Sequence, residues 1–377
     1  MAIGIICEYN PFHNGHLYHL NKIKELYKDE EIILILSGNF TQRGIPSIIE
    51  KYDKASIALS YGVDIVVELP FNFSTQSSDF FAKGSLQLLN KLKCNKLVFG
   101  SESNNIELLK DLVNIQLNNN EYNTLVKEEL DKGINYPTAM SNALKKITNK
   151  TVSEANDLLA LSYIKEIVKN NYLIEPISIQ RTNNYNSKEL TGNIDSATAI
   201  REAIKNNKDI SKSLPKESLS LINKYDDKVL FNYLKYKVLS DNNLSVYQTV
   251  DEGIDNKLKK EIINSNSIEE LIDRIKSKRY TYNKLNRMFI HILCSYTKKE
   301  NSINQDIKYI RILGLSIKGK NYLNKLKKEI DIPIITNINK NIIDLLRTEL
   351  KVANIYNLIL NRTDNLYSKK PIIKDIK

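Results

Sequence analysis

The strongest constraint on the fold comes from the stretch Glu8-Tyr9-Asn10-Pro11-Phe12-His13-Asn14-Gly15-His16-Leu17-Tyr18-His19. It follows a short apolar run, Ala2–Cys7, that is typical of a buried strand. Apolar residues then recur at helical spacing, at Leu17, Leu20, Ile23 and Tyr27. The stretch is therefore predicted to be the turn between a first strand and a first helix, and it holds three of the four histidines of the chain.

Strand and helix signals alternate through the first 210 residues. Further apolar runs rich in β-branched residues occur at 31–36, 64–69, 96–99 and 172–180, and helical patterns lie between or after them at 52–61, 85–92, 153–168 and 197–205. Buried strands that alternate with helices are typical of a doubly wound parallel sheet. The polar, helical segment 104–150 is interpreted as an insertion into this α/β domain.

The strand signal fades after about residue 210. Helical patterns follow at 228–239, 268–275, 282–294 and 319–330. A polar segment containing Pro215 marks the predicted boundary. The expected architecture is thus an α/β domain over residues 1–210 and an α-helical, basic domain over residues 211–377.

Composition narrows the class of protein. The 377 residues include 55 Lys and Arg against 44 Asp and Glu, for a formal net charge of +11, which favours a polyanionic partner such as nucleic acid. The alternative source of this excess is a bias towards AT-rich codons, which favours Lys, Ile and Asn. No apolar run reaches the roughly 18 residues of a membrane span, and the three cysteines lie far apart, so a cytoplasmic protein without membrane contact is expected.

The histidine-rich turn suits phosphate chemistry. Ligands of parallel sheets bind at the carboxyl ends of the strands, where a helix N-terminus offers N–H groups and partial positive charge. Gly15 lacks a Cβ, so a nucleotide can approach the backbone closely. His13 and His16 can donate N–H bonds to an α-phosphate, whose charge grows in the transition state. A metal site formed by the two histidines, or a chance pairing, is the alternative.

This pattern resembles the HxGH nucleotidyltransferase superfamily, whose sheet is Rossmann-like. The second signature of that superfamily, Ile-Ser-Ser-Thr-x-Ile-Arg, is similar to Asp195-Ser196-Ala197-Thr198-Ala199-Ile200-Arg201 in this chain. Ser196 and Thr198 can cap the following helix. The resemblance implies that Arg201 binds the leaving phosphates, a role that suits a bidentate guanidinium. The chain departs from the signature at Ala197, which fills the second serine position.

A finer resemblance covers nearly the whole chain. Blocks at 8–16, 37–44, 68–70, 74–77, 99–102, 196–201, 278–281 and 311–314 are similar to the tRNA(Met) cytidine acetate ligase family. The resemblance implies an enzyme that joins acetate to ATP, making acetyl-adenylate and pyrophosphate. It then acetylates the wobble cytidine of elongator tRNA(Met) to N4-acetylcytidine. Magnesium is expected with ATP, without an assigned protein ligand, and no protein partner is expected.

The resemblance also implies the site residues. His13, His16 and Arg201 are expected to be catalytic. The expected ATP contacts are Ile6, Cys7, Glu8, Tyr9, Asn10, Pro11, Phe12, His13, Asn14, Gly15, His16, Leu17, Tyr18, His19, Gly100, Asn156, Arg181, Ser196 and Thr198. The clustering of positive charge, rather than the resemblance, adds Lys278, Arg279 and Arg287, which are expected to contact tRNA, with a solvated helix face as the alternative.

Several other residues have open interpretations. Gln42 and Arg43 follow the second strand and face a substrate, tRNA or only solvent. Asn184 and Tyr185 serve either the ligand or only their loop. Asp64 and Glu68 are interpreted as structural, and His291, within an apolar helical pattern, as a core histidine whose ring is hydrogen-bonded.

Three other functions compete with the ligase. A small-molecule adenylyltransferase of coenzyme synthesis would not need the large basic second half. An aminoacyl-tRNA synthetase would carry a Lys-Met-Ser-Lys-Ser loop, which this chain lacks. A non-catalytic RNA-binding protein would have no reason to keep His13, His16 and Arg201 together.

Overall fold

The computed structural model describes residues 1–150, 152–181, 189–190 and 192–375. In this part of the chain one sheet contains eight strands: β1 (Ala2–Cys7), β2 (Glu31–Ser37), β3 (Ile65–Leu69), β4 (Cys94–Ser101), β5 (Glu175–Gln180), β6 (Ile310–Ser316), β7 (Ile334–Ile335) and β8 (Ile372–Lys374). Their order is β5-β4-β1-β2-β3-β6-β7, with β8 paired to β6. Strands β1 to β5 are parallel, so their carboxyl ends share one edge.

Helices cover both faces of the sheet. The helices of the first half are α1 (Asn14–Leu26), α2 (Lys51–Ser60), α3 (Phe71–Ser74), α4 (Ser78–Lys91), α5 (Ile106–Asn118), α6 (Asn120–Asp131), α7 (Tyr136–Thr148), α8 (Ala155–Lys169) and α9 (Ala197–Lys205). Side chains of β2 alternate between two buried clusters: Ile33 and Ile35 face α4 and α8, and Leu34 and Leu36 face α1 and α2. The predicted doubly wound sheet is confirmed, and segment 104–150 contains α5, α6 and α7.

The second half begins with a helical cluster. The helices of the whole second half are α10 (Lys216–Leu219), α11 (Asp227–Ser240), α12 (Ile254–Ile263), α13 (Ile268–Ile275), α14 (Tyr282–Leu293), α15 (Lys298–Ile303), α16 (Ile317–Leu326) and α17 (Arg347–Ile359), with 3-10 turns at Leu244–Val246 and Leu366–Ser368. Helices α11 to α14 share a core that includes Leu234, Leu271 and Met288. Phe40 and Phe71, which follow β2 and β3, join this core, so the cluster packs on the carboxyl edge of the sheet.

One expectation about the second half is wrong: residues 211–377 are not helical throughout. Strands β6, β7 and β8 belong to the sheet, and β6 pairs antiparallel with β3. Every residue of β6 is buried, but Arg311 and Gly314 interrupt its apolar residues, so the strand lacks the continuous apolar run by which β2 is predicted. Arg311 in β6 reaches the carboxylate of Glu68 in β3 at 3.2 Å, a long-range pairing that no local pattern reveals.

Candidate active site

The turn from β1 into α1 is held by its own histidines. Nδ1 of His13 accepts a hydrogen bond from the backbone N–H of Gly15 at 3.1 Å, and Nδ1 of His16 accepts from the backbone N–H of His13 at 3.3 Å. The pair forms a reciprocal cap at the helix N-terminus. Because Nδ1 accepts in both rings, a neutral ring carries its proton on Nε2. Both histidines therefore present an Nε2–H donor.

These rings are neutral at physiological pH. Burial lowers the pKa of His13 to about 3, with the nearby Arg181 and Arg201 adding to the effect. Burial, and to a smaller extent the nearby ring of His13, hold the pKa of His16 well below its ordinary value. Burial also lowers the pKa of His19 to about 4. Neutral N–H donors stabilise charge that develops on a ligand without first attracting an anion strongly.

Asn14 and Gly15 act on the turn itself. A Cβ at position 15 would lie 2.8 Å from Cε1 of His13, so the glycine leaves room for that ring. The Nδ2 group of Asn14 donates to the carbonyls of Asn193 at 2.7 Å and Lys212 at 2.8 Å. The turn is thereby fastened to the chain on both sides of α9.

A cavity of about 220 Å³ opens at the carboxyl edge of the sheet, over this turn. It brings together fifteen of the residues expected at the site: Ile6, Cys7, Glu8, Tyr9, Asn10, His13, Gly15, His16, Tyr18, His19, Gly100, Asn156, Arg181, Thr198 and Arg201. Five residues expected to contact ATP do not line it: Pro11, Phe12, Asn14, Leu17 and Ser196. Phe12, for example, is buried and stacks on Tyr61 with ring centroids 5.3 Å apart.

Sequence analysis missed part of the cavity wall. The side chains that it did not assign to the site are Phe81, Phe99, Leu159, Tyr163, Ile179, Gln180 and Ala197, and Gln42 and Arg43 had open interpretations. The apolar members carry the same helical or strand pattern as core residues, and no local signal separates a cavity wall from a core.

The second signature lies opposite the histidine turn. Ser196 caps α9, with Oγ accepting from the backbone N–H of Ala199 at 3.0 Å. Arg201 donates from Nη1 to the carbonyl of Asn10 at 2.7 Å and from Nη2 to Oγ1 of Thr198 at 3.3 Å. Helix α9 and the histidine turn thus form two walls of one cavity, joined by the guanidinium of Arg201.

The edge of β4 and β5 supplies the third wall. A Cβ at Gly100 would lie 3.3 Å from Cγ of Arg181, so the glycine leaves room for the arginine stem across the end of β4. Glu102 accepts from Nδ2 of Asn156 at 2.5 Å, and its carboxylate lies 3.8 Å from Nε of Arg181. Glu102 therefore orients two residues expected to contact ATP. Asn184 and Tyr185 lie outside the described residues.

A buried lysine fastens two strand ends beneath the cavity. Nζ of Lys54 donates to the carbonyls of Glu8 at 3.0 Å, Ser37 at 2.7 Å and Gly38 at 3.0 Å. Burial lowers the pKa of Lys54 to about 7, yet three carbonyl acceptors match the three N–H bonds of the charged form. No local pattern predicts this contact, because it joins residues 16 to 46 positions apart.

The residues interpreted as structural do have structural partners. Asp64 accepts from the backbone N–H of Ile32 at 3.0 Å and from Oγ of Ser316 at 2.6 Å. Glu68 lies 2.6 Å from Nζ of Lys51 in a buried ion pair. His291 is fully buried, with Nδ1 2.9 Å from Oγ1 of Thr249 and Nε2 3.2 Å from Oγ1 of Thr75, and its interpretation as a hydrogen-bonded core histidine is confirmed.

The three basic residues expected to contact tRNA have different surroundings. Lys278 and Arg279 are exposed, and Arg279 donates to Glu252 at 3.0 Å. Arg287 is half-buried, and its Nη1 donates to the carbonyl of Gln42 at 3.1 Å. Arg287 thus reaches the loop after β2 rather than open solvent.

The described residues show neither a metal-binding cluster nor a membrane span. No group of three or more His, Cys, Asp or Glu side chains is arranged to hold a metal ion in this part of the chain. Within the same residues, no helix has both the length and the apolar character needed to span a bilayer.

Comparison with known proteins agrees with this geometry. A family model described as HIGH Nucleotidyl Transferase matches residues 1–370. A tRNA(Met) cytidine acetate ligase of Clostridium novyi is 42% identical over 329 residues, which cover 82% of this chain and 80% of the relative. A protein of the same name from Mesomycoplasma hyopneumoniae is 40% identical over 298 residues, which cover 78% of this chain and 92% of the relative.

Solved structures extend the likeness to the whole chain. The apo crystal structure of Thermotoga maritima TmcAL is similar with a TM-score of 0.91 at 29% identity, over 99% of both chains. The Thermotoga maritima TmcAL structure bound with alpha-thio ATP is similar with a TM-score of 0.88, again over 99% of both chains. The chain belongs to the tRNA(Met) cytidine acetate ligase family of HIGH nucleotidyltransferases.

Proposed function

We propose that this protein uses ATP to ligate acetate to the wobble cytidine of elongator tRNA(Met) in the cytoplasm, by way of acetyl-adenylate, giving N4-acetylcytidine. The observation that carries the proposal is the pair of neutral rings at His13 and His16, each with its Nδ1 engaged in the turn, which line one cavity together with the guanidinium of Arg201. The relatives are named for this reaction, and the likeness to a TmcAL bound with alpha-thio ATP supports ATP as the nucleotide.

The first step forms the acetyl-adenylate. A carboxylate oxygen of acetate attacks the α-phosphorus of ATP, and the bond from that phosphorus to the bridging oxygen breaks, releasing pyrophosphate. Nε2–H of His13 and His16 donate to the α-phosphate oxygens as their charge grows. Arg201 and the N-terminus of α9 stabilise the leaving pyrophosphate.

The second step transfers the acetyl group. The exocyclic amine of the cytidine attacks the acetyl carbonyl, the carbonyl–phosphate bond breaks, and AMP leaves while the amine loses one proton. Anticodon loops present unstacked bases, so the cytidine can enter a cavity without opening a helix. We assign adenylate formation to the cavity at the carboxyl edge of the sheet, and tRNA binding to the helical cluster of the second half, where Lys278 and Arg279 are exposed.

Magnesium would be held chiefly by the substrate. Of the described residues that line the cavity, Glu8 alone is acidic, and its Oε1 already accepts from the backbone N–H of Gln42 at 2.6 Å. This donor set suits a metal that keeps its waters and binds phosphate oxygens. When bound, Mg²⁺ would neutralise phosphate charge.

Exchange of labelled pyrophosphate into ATP tests the proposal. Exchange is expected to depend on acetate and not on tRNA, and labelled acetate is then expected to appear on elongator tRNA(Met) but not on initiator tRNA. Exchange that ignores acetate but responds to a phosphorylated coenzyme precursor would favour the small-molecule adenylyltransferase instead. Absence of exchange with acetate, in a protein that binds ATP, would overturn the ligase.

A further inference from the structure

The loop after β2 brings a second arginine to the part of the cavity that Thr198 and Arg201 line. Nη1 of Arg43 donates to Oγ1 of Thr198 at 3.3 Å, and Nη2 of Arg201 donates to the same oxygen at 3.3 Å. Both guanidiniums line the cavity. Thr198 lies in the first turn of α9, where the helix N-terminus favours an anion. Three sources of positive potential therefore meet at one place.

The position of Arg43 is fixed by the residues on either side of it. The backbone N–H of Gln42 donates to Glu8 at 2.6 Å, which ties the loop to the end of β1. The backbone N–H of Gly44 donates to the carbonyl of Thr41 at 2.9 Å, closing a turn around Arg43. A side chain held between two such anchors meets a ligand at little further cost in conformational entropy.

The helical cluster of the second half holds the same loop. Gly44 has a φ of +72°, and a Cβ on it would lie 2.2 Å from the backbone nitrogen of Arg287 in α14. Arg287 in turn donates from Nη1 to the carbonyl of Gln42 at 3.1 Å. Only glycine allows this contact between the loop and the helix, because any other residue adds both a clash and backbone strain.

We infer that Arg43 is a further ATP-binding residue, which converges with Arg201 on the β- and γ-phosphates, and that Gly44 and Arg287 position it. Two like charges that share one hydroxyl oxygen repel each other, and a multivalent anion between them turns that repulsion into attraction. Pyrophosphate is such an anion, and each guanidinium can bind two of its oxygens. The inference rests on the proposed function in one respect: that reaction makes the β- and γ-phosphates leave as pyrophosphate.

Binding of ATP and of AMP, measured without acetate or tRNA, tests Arg43. AMP lacks the phosphates that Arg43 is inferred to hold. Arg43→Met is expected to weaken ATP binding about 10- to 100-fold and AMP binding less than about 2-fold, with Arg43→Lys between Arg43→Met and the wild type. Equal losses for both nucleotides, or no loss for ATP, would overturn the inference. Weaker tRNA binding with unchanged ATP binding would make Arg43 a tRNA contact instead.

The positioning role has its own variants. Gly44→Ala leaves Arg43 in the chain but is expected to move its loop, so ATP binding should fall about 10-fold while AMP binding holds. Arg287→Met, which removes only the bond to Gln42, is expected to give a smaller loss of the same kind, and it serves if Gly44→Ala does not fold. Lys320→Ala, on an exposed part of α16, is the matched control. If Arg287→Met binds ATP as the control does, Arg287 does not position Arg43.

These measurements separate the inference from the proposed function. If the protein shows no acetate-dependent exchange but Arg43→Met still weakens ATP binding more than AMP binding, the proposed ligase activity is refuted and Arg43 remains a phosphate ligand. If exchange is normal but Arg43→Met affects ATP and AMP binding equally, only the role of Arg43 is refuted.

Discussion

His13 and Gly15 form one unit: the ring nitrogen Nδ1 of His13 accepts the backbone N–H of Gly15 at 3.1 Å, and a Cβ on Gly15 would lie 2.8 Å from Cε1 of the same ring. The hydrogen bond fixes which nitrogen carries the proton, and the missing side chain fixes where the ring lies. The close approach that a glycine permits is therefore used here by the ring of His13, the side chain proposed to be catalytic, with Nδ1 turned towards the helix N-terminus.

Replacing the histidines by asparagine separates the cap from the catalytic donor. The side-chain oxygen of an asparagine at position 13 can still accept from Gly15, but no N–H group remains at the position of Nε2. His13→Asn and His16→Asn are each expected to lower acetate-dependent pyrophosphate exchange by about 10²-fold or more, the scale of losing one preorganised donor. Denaturant unfolding and tRNA binding should change little. Wild-type exchange in both variants would contradict the assignment.

Two glycines of the cavity are expected to respond differently to alanine. In Gly15→Ala the new methyl meets the ring of His13 at 2.8 Å, and that ring is buried and hydrogen-bonded. In Gly100→Ala the nearest atom is Cγ of Arg181 at 3.3 Å, part of a flexible side chain. Exchange should fall at least about 10-fold further in Gly15→Ala than in Gly100→Ala, because a misplaced donor loses most of its effect. Similar rates in both would show that the ring tolerates displacement.

Stability should fall as the solution becomes acidic. Burial lowers the pKa of His13 and His291 to about 3 and that of His19 to about 4, and it holds that of His16 well below 6.5. Below about pH 6.5 the unfolded chain protonates these rings and the folded chain does not, so stability is fully present above that pH and is lost below it. Glu349 has the opposite effect. Burial and the neighbouring carboxylate of Glu68 raise its pKa to about 7, so the folded chain binds a proton there that the unfolded chain does not.

Burial also raises the pKa of Glu50, Asp53 and Glu166, which oppose the histidines in the same way. The free energy of unfolding is expected to fall between about pH 6 and pH 5, by on the order of 1 kcal/mol for each net proton. Guanidinium unfolding at several pH values measures this slope. His19→Gln should reduce it by about one proton, that is about 1 kcal/mol per pH unit. A flat profile would mean that the buried histidines are charged in the folded protein.

The elements that a sequence reveals are those whose pattern is local. Strand β1, helix α1 and helix α9 were predicted within two residues, because each combines an apolar period with a turn or capping residue. The contacts that were not predicted join distant segments. Lys54 reaches the ends of two strands, and Arg311 reaches Glu68 from 243 positions away. Both contacts depend on which strands are neighbours in the sheet, and a short window of sequence does not carry that information.

This long-range pairing leads to a prediction about truncation. A chain that ends at Lys216 loses β6 and Arg311, leaving β3 as an open edge with the buried Glu68 short of one counter-charge. Removing one partner of a buried ion pair costs about 3 to 5 kcal/mol. The truncated chain is therefore expected to be insoluble or unfolded by circular dichroism. Arg311→Met in the full chain should lower the free energy of unfolding by a similar amount, and a soluble, ATP-binding 1–216 fragment would contradict both expectations.

The surface that receives tRNA can be tested with two exposed cations in different parts of the fold, Arg279 and Lys320. Arg279 lies at the end of the helical cluster near the insertion, where Nε is 3.9 Å from the position of a Cβ on Gly133. Lys320 lies in α16, and its neighbour Lys318 donates to the carbonyl of Glu30 at 2.8 Å, which puts that helix at the amino edge of β2, away from the cavity. A wobble base that enters the cavity brings its phosphates to the carboxyl edge, on the side of Arg279.

Arg279→Ala is therefore expected to weaken binding of elongator tRNA(Met) and to flatten the dependence of log K on log salt by about 0.7, the value of one single-strand phosphate contact. Lys320→Ala, which removes an equal charge, should leave the slope unchanged, so the comparison cancels the effect of net charge. Pyrophosphate exchange without tRNA should be the same in both variants, because neither side chain lines the cavity. If the two variants bind tRNA alike, the exposed end of the helical cluster is a solvated face, and the tRNA site lies on another part of the carboxyl edge.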